Sequence, residues 1–207
     1  MTDMIEYAKI AERCQRGFDT SQLLPNKHVK EIINVCTTMP TKQNLPVYSL
    51  FVLEDRDVIE SIYVYHTMPT SHAETKPDYL NGQTNAPLLL IWCEDATSRQ
   101  ICDQTDDIDI AIGISSGAAA LTAASLGYRT GFCKCFDEDK VSRILAKTYG
   151  KKKLDPRLML GVGLPHPKYD RFTCLLNDKP VKKRPTSGDK TIRVMRSKDS
   201  RRQHPNS

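Results

Sequence analysis

Apolar positions recur at helical spacing through Ile5, Ala8 and Ala11, predicting a helix from an Asp3 N-cap to about Arg16. Pro25 and Asn26 lead into a second helix, whose stripe is Val29, Ile32, Ile33 and Cys36 and which stops before Pro40. Val47 to Leu53 is rich in β-branched and aromatic residues and predicts a strand; Asp55 to Tyr65 returns to helical spacing through Val58, Ile59 and Ile62. Residues 66–86 hold prolines, Thr, Ser and Asn81-Gly82 and read as a long loop. Pro87 to Cys93 is a continuous apolar run, the pattern of a strand covered on both faces.

The most distinctive segment is Asp107 to Gly127, apolar almost all round and dominated by Gly, Ala and Ser. Small residues let neighbouring backbones approach closely, so this reads as a central helix packed on more than one side. Strands are expected over Arg129–Cys135 and Leu158–Leu164. Between them Asp137 caps a helix carrying Val141, Ile144 and Leu145, which Gly150 ends. Thr191 to Met195 alternates and forms a weaker strand pattern. Helices flank and separate the strands, an α+β order rather than a βαβ repeat.

Charge divides the chain. The net charge of the 207 residues is +5, but residues 181–207 hold nine Lys or Arg against two Asp, leaving a nearly neutral body with a basic tail. A hydrophobic content of 39% is slightly lean for a private core and fits an interior shared with a second subunit. The run Ala86–Cys93 is far shorter than the ~20 residues that cross a bilayer, and the N-terminus lacks a basic start and an apolar stretch. Seven cysteines without an export signal read as reduced thiols, and the expected location is the cytoplasm.

Several motifs carry less chemistry than they first offer. Gly161-Val162-Gly163 follows a strand but runs into Leu164-Pro165-His166-Pro167, which cannot open the helix a dinucleotide loop needs. Cys133-Lys134-Cys135 supplies at most two metal ligands, and in a strand its thiols would share one face turned into the core. Asp103, Asp106, Asp107 and Asp109 lack the glycine and terminal glutamate of a calcium loop and fit the positive end of the following helix. The five histidines form no spaced pair and adjoin no nucleophile turn. Arg13 and Arg16, one turn apart at the end of the first helix, can converge on one anion.

Four features taken in order carry more. They are Arg13-Cys14-Gln15-Arg16-Gly17-Phe18-Asp19; Pro40-Thr41-Lys42-Gln43-Asn44; Ala123-Ala124-Ser125-Leu126-Gly127-Tyr128 with Gly131-Phe132-Cys133-Lys134-Cys135-Phe136-Asp137; and Leu160-Gly161-Val162-Gly163-Leu164-Pro165 ahead of Lys182-Lys183-Arg184-Pro185. This order resembles the FMN-dependent nitroreductase family over about residues 5–185. The resemblance implies a central, mostly antiparallel sheet flanked by helices, with residues 1–185 as the FMN-binding domain. Residues 186–207 would then be a basic arm and tail, the arm exchanged in a homodimer.

By the same resemblance, Arg13 and Arg16 match two arginines of the phosphate-and-ribityl motif, and Lys182 and Arg184 the C-terminal basic pair over the same phosphate. Thr41, Lys42 and Asn44 match the segment along the flavin ring and ribityl chain. Lys134 and Cys135 match the turn whose backbone N–H groups face N5 and O4, and Asn81 or Gln83 adds a flavin contact. The implied activity is hydride transfer from NAD(P)H through flavin N5 to a small-molecule acceptor such as a nitroaromatic or a quinone. The chain departs from the pattern at Glu12, where the family has its first arginine, and at Cys14, where it has a phosphate-binding serine. Only a short connection separates Cys93 from Asp107, where larger members carry a helical excursion over the active site. Other readings remain: a flavin-binding protein of the same fold without turnover, a relative that dehalogenates reductively or cleaves flavin, and nucleic-acid binding by the basic tail. The tail lacks interleaved aromatics to stack on bases, so nucleic acid is the minor alternative.

Overall fold

The computed structural model describes residues 3–65, 82–102, 105–150, 154–176 and 179–183. In chain order the elements are α1 (Met4–Ala11), α2 (Asn26–Thr38), β1 (Ser49–Leu53), α3 (Arg56–Tyr65), β2 (Leu88–Asp95), α4 (Ala96–Ile101), α5 (Thr105–Ser125), β3 (Arg129–Cys133), α6 (Glu138–Tyr149), β4 (Leu154–Gly163), β5 (Thr173–Leu176) and β6 (Lys179–Lys183). One-turn 3₁₀ segments cover Lys42–Asn44 and Gly82–Thr84.

Four strands form one antiparallel sheet in the order β1-β2-β4-β3, and β5 and β6 form a separate hairpin. The apolar run Leu88–Cys93 becomes β2, buried along that whole length because both sheet faces are covered. On one face Leu88, Leu90, Trp92, Leu160 and Val162 join the apolar stripes of α2 and α5. On the other, Leu89, Ile91, Cys93 and Met159 join Ile59 and Ile62 of α3 and Val141 and Leu145 of α6. Polar groups inside the first layer are paired in a chain. Trp92 Nε1 donates to Ser115 Oγ at 2.9 Å, and Ser115 Oγ and the Tyr48 hydroxyl both donate to the Cys36 carbonyl.

Several boundaries differ from the pattern-based expectations. The first helix stops at Ala11 rather than near Arg16, because the chain beyond Glu12 leaves the helix to pair with β3: Gln15 N–H donates to the Thr130 carbonyl at 2.8 Å. Arg13 and Arg16 are therefore not stacked one helical turn apart. β3 ends at Cys133, where the Cys135 N–H turns back to the Cys133 sulfur at 3.2 Å, so Cys133 is buried and Cys135 exposed. The two thiols do not share a core face. β4 begins earlier than expected, at Leu154. Its Pro156 sits at a bulge opposite Cys93, on the half of the strand bonded only to β2, where a missing N–H costs nothing. The connection after β2 contains α4, which the sequence pattern did not show, and the β5–β6 hairpin was not expected either. Asn81, Arg184, the Thr191–Met195 strand pattern and the rest of the tail lie outside the described residues.

The long helix α5 departs from the expected packing. Its buried positions, Ile108, Ala111, Ile112, Ser115, Ser116, Ala119, Ala120, Ala123 and Ala124, form one broad face. On the other side Ile110 is 60% and Ile114 42% exposed, and a Cβ added at Gly113 or Gly117 would meet nothing within 4 Å. By length and composition this helix could cross a membrane, yet half of it is buried against the sheet and α2. Its acidic first turn does not gather a metal site among the described residues. Asp107 pairs with Lys42, and Asp109 with Arg157 at 2.9 Å. Asp103 lies outside the described residues.

Candidate functional site

Glycines decide where the chain crosses the sheet. Gly131 and Gly161 face each other across β3 and β4. A Cβ on Gly131 would lie 2.4 Å from the Gln15 carbonyl oxygen, and one on Gly161 would lie 2.0 Å from that of Gln83. The backbone at residues 15 and 83 thus presses directly onto the sheet, an approach that only glycine permits. Gly82 in turn packs against Arg16, with its virtual Cβ 2.8 Å from the Arg16 carbonyl oxygen. These contacts bring the segment Cys14–Gly17, the turn Gly82–Ala86 and the strand end Thr130–Cys133 into one seam.

The hairpin closes the seam from a third side. Arg16 N–H donates to the Arg171 carbonyl at 2.9 Å, and Gly17 packs under the Thr173 and Asp170 carbonyls. Tyr63 Oη and Asn85 Nδ2 both donate to the Leu175 carbonyl, at 2.6 and 3.1 Å, and Arg56 holds the Asn85 side chain and the Ala86 carbonyl. Helix α3 therefore anchors both the Gly82–Ala86 turn and β5.

Within this seam the backbone gathers Cys14, Arg16, Gln83 and, through its carbonyl, Arg171. The Cys14 Sγ lies 4.0 Å from the Phe132 carbonyl. Burial pushes its thiol above the ordinary value; the charges of Arg16 and Arg171 and a hydrogen bond with Gln83 pull the other way. Arg16 Nε is buried and has no hydrogen-bond partner, and the same holds for Thr130 Oγ1. A buried guanidinium donor without an acceptor is costly, so the position suits an anionic or carbonyl-bearing ligand. Arg13, by contrast, is exposed.

The remaining sequence-derived candidates lie in other places. Thr41 Oγ1 donates to the Leu45 carbonyl at 2.7 Å, and Lys42 is held by Asp107. Asn44, at φ 58°, lines with Thr41, Val47 and Tyr48 a surface cleft of about 260 Å³. Lys134 and Cys135 are exposed on the turn between β3 and α6. The Cys135 N–H, which the resemblance directs at the flavin, here donates to Cys133. Lys182 lies in β6 opposite Cys174 of β5. Arg171 was not anticipated from the sequence. Its signal was the turn Tyr169-Asp170-Arg171-Phe172-Thr173, where Asp170 Oδ1 accepts from the Phe172 N–H and the Thr173 hydroxyl.

No protein-family model and no curated protein matches the sequence. Solved structures do. A nitroreductase with bound FMN from Bacteroides fragilis NCTC 9343 superposes with a TM-score of 0.65 at 15% identity, covering 95% of this chain and 100% of that one. A nitroreductase family protein from Clostridium novyi NT gives a TM-score of 0.62 at 20% identity over 83% and 90% of the two chains. An NAD(P)H:FMN oxidoreductase structure from Staphylococcus epidermidis ATCC 12228 gives 0.62 at 17% identity over 86% and 94%. The chain therefore has the fold of the nitroreductase proteins, an antiparallel sheet layered between helices.

Proposed function

We propose that the protein is an FMN-dependent oxidoreductase that takes a hydride from NAD(P)H and delivers electrons to a nitroaromatic, quinone or similar small acceptor. The observation that carries this reading is the buried, unpartnered Arg16 Nε, set in a seam of glycine-enforced close approaches within a fold that holds FMN in one of its structural neighbours. FMN, when bound, supplies the hydride and electron chemistry at its isoalloxazine ring.

The chain's own residues bind and orient. Arg16 donates to the cofactor and, as a fixed cation in a partly desolvated seam, stabilises negative charge on it. Arg13, on the same strand of backbone but exposed, adds charge at the mouth. Gln83 offers its side-chain amide, and Cys14 contributes a thiol where a hydroxyl donor would bond more strongly. Asp107 fixes the Lys42 ammonium, so Lys42 acts as an oriented donor with little net charge, beside Thr41 and Asn44. Lys134, Lys182, Arg184 and Asn81 are the further residues that the resemblance assigns, whereas the Cys135 N–H is already taken by the Cys133 sulfur.

A second copy of the chain belongs to this reading. The stripe Ile110, Gly113, Ile114 and Gly117 leaves an apolar groove with room for another helix to approach closely, and the lean hydrophobic content points the same way. The basic arm at 186–207 would cross to that copy. The test of the cofactor site is FMN retention: Arg13→Glu with Arg16→Glu abolishes it, whereas unchanged FMN affinity in a folded double variant overturns the site.

A further inference from the structure

We propose that Arg171, on the turn leading into the β5–β6 hairpin, is a second guanidinium of the Arg16 anion site and a determinant of selectivity for a phosphorylated over an unphosphorylated flavin. The inference rests on the FMN reading above and assigns to the phosphate a residue far from the N-terminal motif.

The backbone puts the two arginines side by side. Arg16 N–H donates to the Arg171 carbonyl at 2.9 Å. Gly17 lies beneath the same turn, where a Cβ would come within 2.9 Å of the Thr173 carbonyl oxygen and 3.2 Å of that of Asp170. Neither backbone can retreat from the other without losing that packing. The turn itself is fixed by Asp170, whose Oδ1 accepts from the Phe172 N–H at 3.1 Å and the Thr173 hydroxyl at 2.8 Å, and whose carbonyl accepts from the Thr173 N–H.

The Arg171 side chain is likewise held. Its Cζ lies 4.2 Å from the centroid of the Phe172 ring, a stacked arrangement that restrains the guanidinium before any ligand arrives. Among the described residues neither Arg16 nor Arg171 forms an ion pair with a carboxylate, although Arg56, Arg99 and Arg157 do. The charges of both cations pull the Cys14 thiol down against the effect of its burial. Carried on backbones joined by a hydrogen bond, and with no carboxylate partner among the described residues, the two guanidinium groups are available to share one anion. A phosphate monoester dianion, with three acceptor oxygens, satisfies both at once.

The placement also answers the departures in the N-terminal motif. Glu12 stands where a cation would be, and Cys14 where a hydroxyl donor would be. Arg171 restores a cation from the opposite end of the chain. The β5–β6 hairpin, pinned by Tyr63 and Asn85 through the Leu175 carbonyl, keeps it there.

The experiment compares dissociation constants for FMN and riboflavin by flavin fluorescence in wild type, Arg171→Gln, Arg171→Lys and the remote control Arg143→Gln. Losing one charge-assisted contact weakens FMN about tenfold in Arg171→Gln while riboflavin is unchanged, and the salt dependence of FMN binding becomes shallower. Arg171→Lys recovers part of the selectivity, and Arg143→Gln matches wild type. Equal weakening of FMN and riboflavin, or an unchanged FMN-to-riboflavin ratio, overturns the proposal while leaving the FMN reading intact. Should wild type bind neither flavin, the FMN reading fails. Protection of Cys14 from alkylation by inorganic phosphate then decides the anion site. Protection lost in Arg171→Gln upholds Arg171 as its second cation; absent or Arg171-independent protection overturns it.

Discussion

Gly161→Ala is the sharpest structural test of how the seam is built. The added Cβ would stand 2.0 Å from the Gln83 carbonyl oxygen, and real Cβ atoms essentially never come closer than 3.0 Å to a neighbour. At least 1 Å of displacement is therefore required, and the obstacle is backbone rather than the end of a flexible side chain. The Gly82–Ala86 turn cannot move freely, since Asn85 is tied to Arg56 and to the Leu175 carbonyl. Overpacking a well-filled site costs roughly 1–3 kcal/mol, occasionally more, and with an immovable partner we expect about 3 kcal/mol. Urea denaturation of Gly161→Ala against Gly113→Ala measures it. The second substitution adds a methyl group where nothing lies within 4 Å and removes a mid-helix glycine, so by helix propensity it gains up to about 1 kcal/mol in the isolated subunit. FMN affinity should fall with Gly161→Ala, because Gln83 must shift. A Gly161→Ala protein within about 0.5 kcal/mol of wild type would refute the claim that the turn is seated on the sheet at this glycine.

Four further outcomes are expected. Ser115→Ala leaves the Trp92 indole N–H without its acceptor inside the core and lowers stability by about 1–3 kcal/mol in the same denaturation assay; a change near zero would mean the pair is incidental. Alkylation followed by mass spectrometry labels exposed Cys135 before Cys14, whose thiol burial holds above its ordinary value. Arg16→Gln removes a charge that lowers the Cys14 value, so the pH midpoint of Cys14 labelling moves up; a downward shift contradicts the placement of Arg16. In the dimer proposed above, Ile114→Asp puts a charge into the open groove of α5 and yields a monomer in sedimentation velocity; a monomeric wild type, or a variant as dimeric as wild type, would contradict that interface.

What could be read from the sequence was what local pattern decides. β2 was legible because six consecutive apolar residues, Leu88–Cys93, fit only a strand covered twice, and α2 and α6 because Val29, Ile32 and Cys36, and Val141 and Leu145, mark single buried stripes. The end of α1 was not legible. Helical spacing continues to Arg16, and only a partner more than a hundred residues away, the Thr130 carbonyl, draws Gln15 into extended pairing. Cys135 was misplaced for a similar reason, since nothing in Cys-Lys-Cys announces that the strand ends at the first cysteine. The β5–β6 hairpin reads as charged sequence around Lys179–Lys183, and its anchoring to Tyr63 is a tertiary event. Of the candidate site, Arg16 and Gln83 could be named from motifs, and the structure brings them to one seam. Arg171 joins them through backbone contacts that no spacing encodes.

The central claim is that this seam holds a flavin that turns over with a nicotinamide. Purified protein reconstituted with FMN should be yellow, and NADPH or NADH added without oxygen should bleach the visible flavin band, with colour returning on addition of a quinone or nitroaromatic. Colour that persists with both nicotinamides would mean flavin binding without turnover. A protein that cannot be reconstituted with FMN at all would contradict the account.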